Sequence, residues 1–241
     1  KVALCLHGHF RSFDACWPNL KQYFIDVYNP DIFMSAWTDS MGIHVPSNMS
    51  PDPHNDVGYD ITSTVPDTEY IRSVIDRLNP VDIHLDQYYI HDSRFTEIIN
   101  EKYHKKPHPY AYHRPRGTLS LNYIRSTGLY MKKNYEERHN FEYDWVVTTR
   151  WDVNYTTQIQ LDIYNRNGLT ICYHSDVCPH DIWVTGPSNL LDIYGEQFNC
   201  INEVENYPDF YIAPHEWMRV WLEHNNINWD SRNDLGIATL R

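Results

Sequence analysis

Val2-Ala-Leu-Cys-Leu6 is a short, unbroken apolar run that stops at His7-Gly8-His9. A run of that length closed by a glycine turn predicts a buried strand. Phe13, Trp17, Leu20, Phe24 and Val27 then recur at steps of four, three, four and three, which puts them on one helical face. Pro18 fits that helix if its regular part begins just before the proline. Asn29-Pro30 ends it, and Asp31-Ile-Phe-Met-Ser-Ala-Trp37 predicts a second strand. Positions 38–66 are rich in Pro, Asn, Asp, Ser and Gly with little periodicity. They predict a long loop, and long loops in compact domains are often functional.

Helical spacing returns over 67–78 through Ile71, Val74, Ile75 and Leu78. Asn79-Pro80 closes it, and Val81-Asp-Ile-His-Leu85 predicts a third strand. The stretch 118–138 reads as a helix with Leu119, Tyr123, Tyr130 and Met131 on its apolar side. Tyr143-Asp-Trp-Val-Val-Thr-Thr-Arg150 is an apolar strand with a charged tip, Arg150-Trp151-Asp152. Strands are expected again at 169–173 and 181–185, a helix behind Pro187, and a last helix opened by Pro214 with Trp217, Val220, Trp221 and His224 on it. This alternation predicts an α/β, Rossmann-like architecture: a mainly parallel central sheet flanked by helices. The 241 residues fit one domain spanning 1–241. The chain opens directly on a strand, the pattern of one domain of a longer multidomain polypeptide.

Composition narrows the partners. A formal net charge of −12 repels nucleic acid, so no nucleic-acid partner is expected. A small anionic ligand remains compatible if Arg, Lys or a metal ion gathers at its site. The local basic segment 102–116 offers one such clamp, with a solvated loop as the other reading. The 19 Tyr and 8 Trp supply aromatic faces on which sugars stack, although a tyrosine-rich surface accounts for them equally well. Cys5, Cys16, Cys172, Cys178 and Cys200 are odd in number and lack a C-x-x-C pair, which predicts a reducing, cytoplasmic setting rather than a disulfide framework. No membrane span is expected.

Ligands of open α/β sheets bind outside the carboxyl ends of the strands. After the first strand, Gly8 permits close backbone approach and Arg11 offers a planar fork for phosphate. After the second, Asp39 is a candidate for ribose or base, with a helix cap as the alternative. After the central strand, Arg150 and Asp152 are candidates for the diphosphate side of a donor, Asp152 also as a metal ligand; a strand-capping surface ion pair is the competing reading. Asp176, His180 and Asp181 cluster before a late strand, where any of them could serve as general base or metal ligand. His215 and Glu216 open the last helix, where an acid also simply favours the helix N-terminus.

Val2-Ala-Leu-Cys-Leu-His-Gly-His-Phe-Arg-Ser-Phe13, Asn29-Pro-Asp-Ile-Phe-Met-Ser-Ala-Trp37, Tyr143-Asp-Trp-Val-Val-Thr-Thr-Arg-Trp-Asp152 and Asp181-Ile-Trp-Val-Thr-Gly-Pro-Ser-Asn-Leu-Leu-Asp192 together resemble a group of bacterial and viral glycosyltransferase-like proteins of the nucleotide-diphospho-sugar transferase (GT-A) fold. The resemblance implies a single GT-A-like domain that moves a sugar from a nucleotide-sugar donor to a carbohydrate or other hydroxyl acceptor. It implies that Gly8, Arg11 and Asp39 line the nucleotide pocket. Asp152 becomes the metal- or diphosphate-side acid, with Mn²⁺ or Mg²⁺ as the cofactor and His215 as a second candidate ligand. Asp181 faces the acceptor, with Asp176 as the alternative catalytic acid. Arg150 stands where many such enzymes carry the first Asp of Asp-x-Asp, so it could neutralise part of the diphosphate charge itself. A sugar-phosphate nucleotidyltransferase would carry a glycine-rich, basic loop after the first strand, where only Gly8 and Arg11 stand. A non-catalytic carbohydrate-binding domain would more often be an all-β sandwich.

Overall fold

The computed structural model describes residues 1–10, 12–39, 66–103, 115–175, 178–207 and 210–239. Arg11, Asp176, most of the expected loop at 38–66 and most of the basic segment at 102–116 lie outside them.

The chain begins with β1 (Val2–His9) and a helix in three parts: α1 (Phe13–Leu20), a π-helical turn (Lys21–Ile25) and α2 (Asp26–Tyr28). Phe13, Cys16, Leu20 and Phe24 form its buried stripe. The regular helix starts five residues ahead of Pro18. The proline ring removes one backbone donor, and the helix widens into the π turn three residues later, at Lys21. Asn29 ends this helix in the left-handed region at φ 44°, and Asn79 ends α3 (Thr68–Leu78) at φ 45°. Each is followed by proline, so both stops join an αL residue to a residue that cannot continue a helix. Between them runs β2 (Asp31–Trp37), and α3 is opened by the Asp67 carboxylate accepting from the Tyr70 N–H at 2.7 Å.

β3 (Asp82–Asp86), α4 (Tyr88–Ile98), a second π turn (Ile99–Tyr103) and the 25-residue α5 (Pro115–His139) lead into β4 (Trp145–Arg150). After β5 (Val153–Tyr155) and a 3₁₀ turn come β6 (Leu169–Ser175), β7 (Cys178–Gly186), α6 (Ser188–Gly195), α7 (Ile201–Val204), α8 (Pro214–His224), β8 (Trp229–Arg232) and β9 (Ile237–Thr239).

Seven strands make one sheet in the order β3-β2-β1-β4-β7-β6-β8, and β5 pairs with β9 beside it. The pairings β3-β2, β2-β1, β1-β4 and β6-β8 are parallel, whereas β7 is antiparallel to both its neighbours. β7 is therefore the one strand of this sheet that runs against the rest. The chain is α/β with a mostly parallel sheet flanked by helices, compatible with a Rossmann-like fold. From β1 it steps outward to β2 and β3, then returns to place β4 on the other side of β1. The gap between β1 and β4 is thus a topological switch point, where open α/β sheets bind ligands.

Both faces of β1 are covered, as a central parallel strand requires. Leu4 and Leu6 pack towards Phe13, Phe24 and Val74, and Ala3 and Cys5 pack towards Leu129, Leu191 and Met218. α5 lies close against β2: the Ser35 hydroxyl donates to the Ile124 carbonyl at 2.9 Å, and a Cβ on Gly128 would stand 2.8 Å from that hydroxyl.

Of the apolar side expected for α5, Leu119 and Met131 are buried and Tyr123 is half-buried, but a polar face is buried as well. Tyr130 is exposed, while Thr118, Asn122, Arg125, Leu129, Lys132 and Glu136 are buried. Their steps of four and three make one helical face, and it is mostly polar. No helix among the described residues is long and apolar enough to cross a membrane.

Candidate functional site

His7 and Arg150 are register partners at the carboxyl ends of β1 and β4, on either side of the switch point. Trp151 fixes the tip that follows. Its ring is buried against Phe10 and Phe13, with centroids 4.9 and 5.4 Å away. Gly8 faces the same ring with φ at +105°, a conformation that L side chains rarely adopt. The sequence reading assigned Gly8 to ligand approach; its observed geometry meets a demand of the backbone at that turn.

On either side of Trp151 the charges pair. The Arg150 guanidinium donates from Nε to Asp152 Oδ1 at 2.9 Å, and from a terminal nitrogen to Oδ2. Asp152 is only 3% exposed. Burial works against the charge on Arg150, but the carboxylates of Asp152 and then Asp181 raise its pKa above the ordinary value. A fork of this kind is planar and bidentate, so it holds Asp152 in one orientation.

Asp181 reaches this region through a distortion of β7. The β6–β7 register jumps from Cys172↔His180 to Ile171↔Val184, leaving Asp181, Ile182 and Trp183 without partners in β6. Successive strand residues normally point to opposite faces, and a bulge re-aims them. Here it lets the adjacent His180 and Asp181 converge. His180 Nδ1 lies 3.4 Å from Asp181 Oδ1. His215 arrives from the first turn of α8, its Nε2 3.7 Å from the same oxygen. The two imidazole rings are 4.8 Å apart, centroid to centroid. Burial disfavours the Asp181 carboxylate, yet the two imidazoles hold it well below the usual carboxylate range. Burial likewise disfavours the charged form of His215, and Asp181, helped by Glu216, raises its pKa. One ligand atom from each of His180, Asp181 and His215 lies within 4.8 Å of the others, a spacing that could hold a metal ion; Asp152 is not a member of this cluster.

His7 is fully buried, with Nδ1 3.2 Å from the Thr148 hydroxyl and Nε2 without a hydrogen-bond partner among the described residues. Burial, then the cations Arg125 and Arg150, push its pKa well below the ordinary value, so it stays neutral. Arg125 is 1% exposed on the polar face of α5. One terminal nitrogen donates to Asn122 and Gln197, the guanidinium sits 4.4 Å over the Tyr194 ring, and Nε and NH1 lack partners among the described residues.

No protein-family model and no curated protein matches the chain. Its chemistry is therefore read from the geometry alone.

Asp39 lies apart from this group. Its carboxylate accepts from the backbone N–H groups of Tyr88 and Tyr89 at 2.8 and 3.1 Å and so caps α4. Of the sequence candidates, Arg150, Asp152, Asp181 and His215 come together at one end of the sheet. Arg125 was not anticipated, because a single arginine in a helix reads as solvated. The signal available was its spacing, four residues before Leu129 and three after Asn122 on a common face.

Proposed function

We propose that this chain is a glycosyltransferase on a GT-A-like fold, moving a sugar from a nucleotide-sugar donor to a hydroxyl acceptor. The observation that carries the reading is the Arg150–Asp152 tip at the β1/β4 switch point, with Asp181 beside it. Transfer of a glycosyl group leaves a nucleoside diphosphate, and its developing charge needs fixed cations nearby. Arg150 is such a cation, and the buried Arg125 adds to the positive field that keeps His7 neutral. A neutral His7 can donate or accept a hydrogen bond without adding charge to the site. The acceptor hydroxyl must lose its proton as it attacks. Asp181, held ionised, is the acid in reach of that region that accepts hydrogen bonds. A divalent ion, when bound, would supply further charge against the diphosphate. Among the described residues, the free thiols Cys5, Cys16 and Cys200 support a reducing, cytoplasmic setting.

The deciding experiment is a thermal-shift screen of UDP-, GDP-, CMP- and dTDP-sugars with and without a divalent cation. A ligand of the native state raises the melting temperature by mass action. A hit followed by release of the matching nucleotide on adding a glycan acceptor supports transfer. A screen with no shift and no nucleotide release would overturn the reading.

A further inference from the structure

We propose that His180, Asp181 and His215 form a divalent-metal site of the zinc type, with at least one coordination position left open. The inference rests on the ligand set and not on sugar transfer; with a metal bound, Asp181 would serve as its ligand rather than as the base.

Three features carry it. The first is spacing. At metal–ligand bonds of about 2.0–2.2 Å, tetrahedral ligand atoms stand about 3.3–3.6 Å from one another. The observed separations from Asp181 Oδ1 are 3.4 Å to His180 and 3.7 Å to His215, and all three ligand atoms lie within 4.8 Å of one another. Bringing the three atoms to bonding distance therefore needs shifts of a few tenths of an ångström to about 1 Å, within the reach of side-chain rotation. The second is the backbone. His180 and Asp181 meet where three residues of β7 escape pairing with β6, and His215 is delivered from another element thirty-four residues after Asp181. A surface cluster formed by chance needs no such distortion. The third is chemistry. Two imidazoles and one carboxylate favour zinc, iron, cobalt or nickel over magnesium or calcium, which prefer all-oxygen sites. The two imidazoles make this a nitrogen-rich site one strand away from Asp152 and distinct from the Mn²⁺ or Mg²⁺ expected there. Asp152 already gives both oxygens to Arg150. Three protein ligands leave a fourth position for water or for an anionic oxygen of a ligand.

The test uses the full chain, stripped with chelator and dialysed. Calorimetric titrations with Zn²⁺, Co²⁺ and Mg²⁺ should show one Zn²⁺ per chain, bound on the order of a hundredfold or more tighter than Mg²⁺. Co²⁺ should give the visible absorption of a low-coordinate nitrogen/oxygen site without a thiolate charge-transfer band. Asp181→Asn and His215→Gln should each abolish the one-site binding while circular dichroism stays unchanged. Should either variant fail to fold, His180→Gln supplies the same readout from a more exposed position. Absence of stoichiometric Zn²⁺ binding, equal affinity for Mg²⁺, a thiolate band, or undiminished binding in the folded variants would each overturn the site. Metal binding without any nucleotide-sugar response would leave this inference standing and sink the transferase reading instead.

Discussion

Asp152 receives two hydrogen bonds from one guanidinium, that of Arg150, and the pair is almost closed off from solvent on the acid's side. Removing one partner of such a pair strips a buried charge of its bidentate counter-ion, at a cost of up to about 3–5 kcal/mol. Arg150→Met is therefore expected to lower stability by that order in urea unfolding. The double variant Arg150→Met with Asp152→Asn should recover a large part of the loss, because the orphaned charge is gone. Additive losses in the double-mutant cycle would show that the two residues do not depend on each other.

Asp152→Asn alone keeps the shape of the tip and most of its packing. Turnover of the donor identified by the thermal screen is expected to fall by about a hundredfold or more, the scale of one lost electrostatic contact in the transition state. Steady-state kinetics on the folded variant checks this. Wild-type turnover would remove Asp152 from the mechanism.

Arg125 and Lys132 share one face of α5 but have opposite surroundings. Lys132 is fully buried and bonded to Glu136 at 2.7 Å, to Asp192 at 2.6 Å and to the Ser188 hydroxyl. Arg125 touches no carboxylate among the hydrogen bonds and ion pairs described. Lys132→Met strands two acids and should cost about 3–5 kcal/mol, whereas Arg125→Met strands only the amide oxygens of Asn122 and Gln197 and should cost less, about 1–3 kcal/mol. If Arg125 serves the ligand, the same variant loses affinity for the nucleoside diphosphate. Chemical unfolding and calorimetry on both variants separate these outcomes, and a large stability loss in Arg125→Met would mark it as structural.

His7 makes a pH prediction with a definite sign. Its folded pKa lies well below the ordinary 6.5, so below that pH the unfolded chain takes up a proton that the native state refuses. Stability rises with pH wherever the unfolded state binds more protons. The contribution of His7 is thus complete above about 6.5 and is lost progressively as pH falls towards its depressed folded pKa. His7→Asn cannot titrate. Its stability relative to the parent should improve from about pH 7 to about pH 5 in chelator-containing buffer, as read by urea midpoints. A constant difference across that range would show that His7 takes up its proton alike in the folded and the unfolded chain.

Strand positions and helix stops were legible in the chain because they depend on local rules. Apolar runs marked β1, β2 and β4, and the Asn-Pro pairs marked two helix ends. β7 was placed at 181–185, but it begins at Cys178, and its reversed direction follows from a pairing that no local pattern encodes. The site was legible only in pieces. Arg150 and Asp152 stand out as charges on an apolar strand, while the meeting of His180, Asp181 and His215 depends on a register jump and on where α8 docks. Leu119 and Met131 are buried on α5 as expected, but the polar buried face beside them was missed for a physical reason. Hydrophobic periodicity locates buried faces only when they are apolar, and this one is built from Thr118, Asn122, Arg125, Lys132 and Glu136. Asp39 shows the converse: its position after a strand suggested a ligand, and its carboxylate is occupied by the first amides of the next helix.

Trp151 has a consequence for how the tip could change over time. Its ring, held between Phe10 and Phe13, anchors the backbone without help from either charged neighbour. Positions 150 and 152 can then be rewritten together, as a compensated pair, while the scaffold beneath them stays put. Replacing Arg150 with aspartate would exchange a built-in cation for a borrowed one, making the tip depend on the ionic composition of its surroundings where the present chain carries its own counter-charge.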